Sequence, residues 1–165
     1  MRGRLARAGP SGQISRVIEQ LDIEAPAGPD LEAFRRVSFE VPGGAMAGIA
    51  FSASTRAHPD IVFLHATGFN ACTYRGVLAP LGEKRHALAL DLRGHGRTQL
   101  KASTFGYTSW ARHRDDVIAV LERHCTRPVT LAGHSMGAIV ALRVAARRPD
   151  LVSGLALIEP VFLSG

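Results

Sequence analysis

Short blocks of apolar residues recur along the chain from residue 34 onwards. Residues 37–41 alternate apolar and polar side chains, as a half-buried strand does, and Pro42-Gly43-Gly44 is a turn signal. Residues 47–52 are therefore expected to return as the second strand of a hairpin. Further apolar runs predict strands at 61–65, 87–91, 128–132 and 154–158. The segments between them predict helices at 74–81, 110–124 and 136–147.

The order of these elements predicts an α/β fold. A hairpin followed by alternating strands and helices indicates a mainly parallel sheet with helices on both faces. In such sheets, catalytic and binding residues collect at the carboxyl ends of the strands. The chemically capable residues at or just beyond predicted strand ends are His65, Asp91, Ser135 and Glu159.

Residues 1–33 differ from the rest of the chain in composition. Arginine, glycine and proline recur there, the first acid is Glu19, and the apolar stretch of a secretory signal is missing. We expect a flexible or poorly structured extension, in which residues 14–21 have the apolar spacing of a short helix. A single domain is expected over residues 34–165.

Composition narrows the class of protein further. The net charge of +6 comes from arginines spread through every segment, without a zinc-finger or RNA-binding motif, so a nucleic-acid partner is the least favoured interpretation. No apolar run approaches the roughly 20 residues of a membrane span. The two cysteines, Cys72 and Cys125, are far apart in sequence and too few for a disulfide framework, so we expect both to be reduced in a cytoplasmic protein. We expect neither a metal nor a cofactor.

One motif combines a nucleophile with a place to stabilise charge. Gly133-His134-Ser135-Met136-Gly137 has the pattern G-x-S-x-G between a predicted strand and a predicted helix, which is the context of a nucleophile elbow. Small residues on either side of the serine allow a sharp turn. The helix N-terminus adds partial positive charge, and the Met136 N–H is placed to bind a developing oxyanion. A phosphate-binding turn is disfavoured, because the G-x-G-x-x-G spacing is absent.

Two further motifs follow predicted strands. They are His65-Ala66-Thr67-Gly68-Phe69-Asn70 and Asp91-Leu92-Arg93-Gly94-His95-Gly96-Arg97-Thr98. With the serine turn and the Ala145-Ala146-Arg147-Arg148-Pro149 that ends its helix, they resemble the α/β-hydrolase superfamily over residues 35–165.

The resemblance implies roles for several residues. The loop after His65 supplies the second oxyanion N–H, which we assign to Phe69, and His65 orients that loop. The loop after Asp91 is structural, with Asp91 and Arg93 forming an ion pair, and no catalytic role is assigned to His95. A serine nucleophile favours acyl transfer to water, because the dehalogenases and epoxide hydrolases of the superfamily carry an aspartate there. The implied partner is a small-molecule acyl substrate.

The general base of this reaction is not evident. The superfamily order is serine, acid and then histidine, whereas all seven histidines of this chain precede Ser135. The adjacent His134 is expected to point away from the serine. Glu159 is the candidate acid, the alternative being a loop residue bonded to backbone N–H groups or to an arginine. We therefore expect a truncated domain, an incomplete α/β-hydrolase core that ends after the sixth strand and leaves 154–158 as an exposed edge open to self-association.

Two functions stay open at this point. The first is a serine hydrolase that acts on an ester-like bond through Ser135 and is catalytically incomplete as this chain alone. The second is a non-catalytic α/β-hydrolase-like binding domain or an inactive fragment.

Overall fold

A computed structural model describes residues 34–52, 58–103 and 109–162. The expectations for residues 1–33, including the short helix at 14–21, lie outside the described residues. Within them the chain forms one sheet of six strands, mostly parallel, with helices on both faces, which confirms the predicted fold class.

The sheet begins with an antiparallel hairpin and continues in parallel. The spatial order is β1-β2-β4-β3-β5-β6, in which β2 pairs antiparallel with β1 and β4, and the pairs β4–β3, β3–β5 and β5–β6 are parallel. The strands are β1 (Arg35–Val41), β2 (Gly44–Phe51), β3 (Ile61–Leu64), β4 (Ala87–Leu90), β5 (Val129–His134) and β6 (Val152–Ile158).

Three α-helices connect the parallel strands. They are α1 (Arg75–Gly82), α2 (Ala111–His124) and α3 (Met136–Arg147), with short 3₁₀ turns at Ala71–Tyr74 and Pro149–Leu151. No helix within the described ranges has the length and apolar content needed to cross a membrane. Cys72 lies in the first 3₁₀ turn, Cys125 lies directly after α2, and both are free thiols.

The strand ends differ from the predicted ones for local reasons. Gly44 belongs to β2 rather than to the turn, because Pro42 and Gly43 suffice to reverse the chain and Val41 pairs directly with Gly44. Gly43 has a φ of +90°, which glycine adopts without a steric penalty. Strand β5 runs two residues further than expected, to His134, and so reaches the serine turn itself.

The core lies in two layers, one on each face of the sheet. Alternate residues of β4 divide between them: Leu88 and Leu90 pack with α2 and α3, whereas Ala87 and Ala89 pack with the layer that contains Leu78 of α1. This period of two is the pattern that a strand buried on both faces requires.

Strand β6 is one edge of the sheet. Among the described residues it pairs with β5 alone, and several of its apolar side chains are exposed, including Leu155 (40%) and Ile158 (46%). The described residues therefore leave an apolar strand at this edge of the sheet, as the sequence predicts.

The two glycines of α1 provide a matched test of packing on this face. A Cβ at Gly82 would lie 2.5 Å from the Phe51 Cβ, whereas a Cβ at Gly76 would meet nothing within 4 Å. We expect Gly82→Ala to lower the free energy of unfolding by about 1–3 kcal/mol through overpacking. Gly76→Ala should raise it by up to about 1 kcal/mol, because alanine loses less backbone entropy in a helix.

Urea unfolding of both variants and the parent chain measures this difference. Equal effects of the two substitutions would contradict the close packing of α1 on β2.

Candidate active site

Ser135 occupies a strained turn between β5 and α3. Its φ of 51° and ψ of −113° lie outside the regions that an L-residue ordinarily adopts. Its N–H donates to the Ile158 carbonyl of β6 at 2.9 Å, and its own carbonyl accepts from Ala138 and Ile139 of α3. Three elements therefore hold the serine in this conformation, and its side chain is only half-buried.

The glycines on either side of Ser135 allow this turn to pack closely. A Cβ at Gly133 would lie 2.6 Å from the Ala138 nitrogen, and a Cβ at Gly137 would lie 2.7 Å from the His65 carbonyl oxygen. Real Cβ atoms are essentially never found so close to backbone atoms. The turn thus rests directly on the end of β3, which brings the serine beside the loop after β3.

That loop has almost all of its backbone N–H groups engaged. The N–H groups of residues 66 and 68–71 donate hydrogen bonds of 2.8–3.4 Å, in chain order to Tyr74 Oη, His95 Nε2, the Ala66 carbonyl, Thr73 Oγ1 and Asp91 Oδ1. Thr67 is the exception, because its N–H has no acceptor among the described residues.

Thr67 also touches the first residue of α3. Its hydroxyl donates to Met136 Sδ at 3.3 Å. The first N–H groups of a helix have no partner within the helix, and the Met136 N–H finds no acceptor elsewhere in the described ranges. Two unengaged backbone donors, one from each side of the site, therefore belong to residues in direct contact.

The Phe69 N–H, which the sequence assigns as the second oxyanion donor, is used within its own loop. It donates to the Ala66 carbonyl at 3.2 Å, three residues back along the chain. The Phe69 side chain is 45% exposed and its ring packs edge-on against Tyr74.

His65 and His95 link this loop to the loop after β4 by hydrogen bonds. His65 is fully buried; its Nδ1–H donates to the Ala66 carbonyl and its Nε2 accepts the Leu92 N–H at 2.9 Å. His95 repeats the arrangement, with Nδ1 bonded to the Arg93 carbonyl and Nε2 accepting the Gly68 N–H. His65 thus orients the loop, as the resemblance implies, and both rings accept through Nε2 only when neutral.

The expected ion pair between Asp91 and Arg93 is replaced by a different one. The Asp91 carboxylate accepts the backbone N–H groups of Ala71 and Arg97, both at 2.8 Å. Arg93 instead forms a two-pronged pair with Asp116 of α2, at 2.6 and 2.8 Å. The expectation is wrong because Asp91 bonds the backbone of the two loops, while the guanidinium of Arg93 reaches α2.

His134 points away from Ser135, as expected. Its Nδ1 lies 2.7 Å from the Tyr74 hydroxyl, and its Nε2 lies 3.3 Å from Oε2 of Glu159. The Glu159 side chain is 83% exposed and its backbone has a φ of 45°. Among the described residues, which include all seven histidines, no side chain bonds to the Ser135 hydroxyl. Glu159 therefore contacts a histidine, but one that does not reach the serine.

Thr67 and Tyr74 are the residues of this site that motif analysis misses. No motif marks Tyr74, although a partly buried tyrosine hydroxyl usually has a hydrogen-bond partner. Thr67 lies inside the first loop motif, two residues before the position chosen from the resemblance.

The comparisons with known proteins agree with this fold. A model of the Alpha/beta hydrolase family matches residues 61–165. An esterase of Mycobacterium tuberculosis is 33% identical over 141 residues, which are 86% of this chain and 42% of the esterase. A haloalkane dehalogenase of Mycolicibacterium paratuberculosis is 37% identical over 98 residues, which are 59% of this chain and 32% of that enzyme.

Among solved structures, a thioesterase domain from the curacin biosynthetic pathway superposes with a TM-score of 0.70 at 25% identity, covering 81% of this chain and 48% of that one. The chain belongs to the alpha/beta hydrolase family. It spans less than half of the length of each of these three relatives.

Burial of His65 makes the stability of the site pH-dependent. Desolvation lowers the pKa of His65 from 6.5 to about 4. Between these two pH values His65 is protonated in the unfolded chain but not in the folded chain. The free energy of unfolding therefore falls as pH decreases from 6.5 to 4. The loss attributable to His65 is about 3 kcal/mol. His113, whose pKa is lowered to about 4 for the same reason, adds to the decline.

We expect His65→Asn to flatten this decline, because asparagine does not titrate and offers an amide where Nδ1 lies. Urea unfolding at several pH values compares the variant with the parent, so that carboxylates, common to both, cancel. Parallel pH profiles of the two proteins would contradict the burial of a neutral His65.

Proposed function

We propose that this chain carries the nucleophile and the oxyanion site of a serine hydrolase that transfers an acyl group from an ester-like bond to water. The observation that supports this most directly is the conformation of Ser135. A serine with a φ of 51° at a strand-to-helix turn is costly to maintain, and such strain persists where a function requires it.

The proposed reaction uses each part of the turn. The Ser135 hydroxyl oxygen attacks the acyl carbon while its proton passes to a base, and the carbonyl oxygen becomes an oxyanion. The Met136 N–H at the N-terminus of α3 donates to that oxyanion. Collapse of the intermediate expels the alcohol or thiol and leaves an acyl-serine, which water hydrolyses. The esterase and the thioesterase domain among the relatives support an acyl bond as the target.

Thr67 replaces Phe69 as the second oxyanion donor in this proposal. The Thr67 N–H is unengaged and its side chain contacts Met136, whereas the Phe69 N–H already donates to the Ala66 carbonyl. An oxyanion donor must be free in the resting site, because a donor that has to break another bond stabilises the transition state less.

We assign the general base of this reaction to a group that is not among the described residues. A serine hydroxyl is a weak nucleophile without a base. His134 is bonded to Tyr74 and Glu159, and none of the described side chains bonds to the serine hydroxyl. We propose that a histidine from a further segment or a second polypeptide completes the site. Glu159 is then kept as a candidate for the acid.

The absence of a base at Ser135 within the described residues also favours a second candidate function, a non-catalytic domain that binds a small molecule at the same edge of the sheet. The two candidates differ in whether Ser135 reacts once a base is supplied.

Labelling with a fluorophosphonate tests this difference. The Ser135 oxygen would form a bond to phosphorus, fluoride would leave, and the hydroxyl proton would pass to the base. We expect slow labelling of the chain alone and a saturable acceleration by added imidazole, which substitutes for the missing histidine. Intact-mass spectrometry and peptide mapping locate the adduct.

The matched control is Ser135→Ala, which should abolish the adduct. Labelling that survives this substitution, or no imidazole-dependent labelling in the parent chain, would favour the binding domain instead.

Replacing single backbone amides by esters separates the two candidate donors. An ester at Thr67, introduced by semisynthesis with the matching hydroxy acid, removes the N–H and keeps the side chain. We expect the labelling rate at Ser135 to fall by about 100-fold, the usual cost of losing one oxyanion donor. The same replacement at Phe69 should have a much smaller effect. The reverse order would restore Phe69 as the donor.

A further inference from the structure

The Tyr74 hydroxyl joins the two halves of the candidate site. Its oxygen lies 3.2 Å from the Ala66 nitrogen and 2.7 Å from His134 Nδ1. Ala66 directly precedes Thr67, and His134 directly precedes Ser135. A single atom therefore bonds to the residue before the loop donor and to the residue before the nucleophile.

The direction of the protons in this group follows from its donors. The Ala66 N–H can only donate, so the Tyr74 oxygen accepts from it. The Glu159 carboxylate can only accept from His134 Nε2, so Nδ1 of the neutral ring accepts the proton of the Tyr74 hydroxyl. The ring of His134 then carries its proton on Nε2, which faces Oε2 of Glu159 at 3.3 Å. Three hydrogen bonds thus link the Ala66 N–H, the Tyr74 hydroxyl, the His134 ring and the Glu159 carboxylate, and each of these groups has a partner.

The ring of Tyr74 is held independently of its hydroxyl. It packs on Phe63 with a centroid distance of 4.5 Å and contacts the rings of Phe69 and His134 at 6.1 and 6.0 Å. Removing only the hydroxyl therefore leaves the aromatic packing in place and breaks only the link between the loop and the turn.

We infer that Tyr74 and His134 are positioning residues, which set the separation between the Thr67 and Met136 N–H groups by linking Ala66 to the serine turn. This inference rests on the proposed function, since it assigns a purpose to the spacing of the two donors. Misplacement of a catalytic group by about 1 Å can cost on the order of 100-fold in rate, so a link of this kind acts on the reaction without touching the substrate.

Tyr74→Phe tests the link, and Tyr107→Phe, which removes the chain's other phenol hydroxyl, is the matched control. We expect the imidazole-dependent labelling rate of Ser135 to fall about tenfold or more in Tyr74→Phe, and the Tm to fall modestly because the buried Ala66 N–H loses its acceptor. Amide hydrogen exchange at Ala66 should accelerate in the same variant. Equal labelling rates and equal exchange in Tyr74→Phe and the parent would overturn the inference.

The exchange measurement separates this inference from the proposed function. If the parent chain is never labelled, the proposed function fails, and with it the catalytic purpose assigned to the link. Faster exchange at Ala66 in Tyr74→Phe would then still show that the hydroxyl holds the loop.

Two substitutions of His134 provide the sharper test, because they differ in which ring nitrogen they imitate. Asparagine places its amide near the position of Nδ1 and keeps an acceptor for the Tyr74 hydroxyl, whereas glutamine places it near Nε2. We expect His134→Asn to retain most of the labelling rate and His134→Gln to lose it to the extent that Tyr74→Phe does. The double variant Tyr74→Phe/His134→Gln should be no slower than either single variant, because both remove one interaction. Additive losses, or a slower Asn than Gln variant, would show that the residues act separately.

Discussion

The contact between Gly137 of the serine turn and the end of β3 is the constraint on which the site depends. Gly137 lies against the carbonyls of Leu64 and His65 so closely that no side chain fits. This approach lets α3 begin directly beside the loop after β3 and brings Met136 against Thr67. The unusual φ of Ser135 is the local cost of the approach, and it is maintained by the hydrogen bond of its N–H to β6.

Hydrogen bonds from side chains, rather than regular structure, shape the other half of the site. The loop after β3 has no ladder to satisfy its backbone, so Tyr74, Thr73, His95 and Asp91 accept its N–H groups one by one. Buried polar groups are costly when unpaired, and this explains why two of those acceptors, His95 and Asp91, come from the loop after β4. The donor left over is the N–H of Thr67, the residue whose hydroxyl contacts Met136.

Much of the fold is predictable from periodicity, because strands buried on both faces and helices with one apolar stripe leave distinct patterns. The turn at Ser135 is predictable for a related reason, since glycines at fixed offsets are required by local backbone geometry. The hydrogen-bond partners of long side chains are not predictable from such patterns. Arg93 bonds to Asp116 rather than to Asp91 because α2 packs beside it, a fact of tertiary packing that no local pattern contains. The same holds for Tyr74, whose partners lie 8 and 60 residues away.

The parallel pairing of β3 with β5 has a consequence for the order of folding. Leu64 is paired with Gly133, so the turn at Ser135 can close only after segments about 70 residues apart have met. Contacts of such sequence separation form late in folding, because the entropy of closing the intervening chain is lost first. The serine therefore acquires its strained geometry only once this long-range pairing has formed, and an unfolded chain presents a serine in an ordinary conformation.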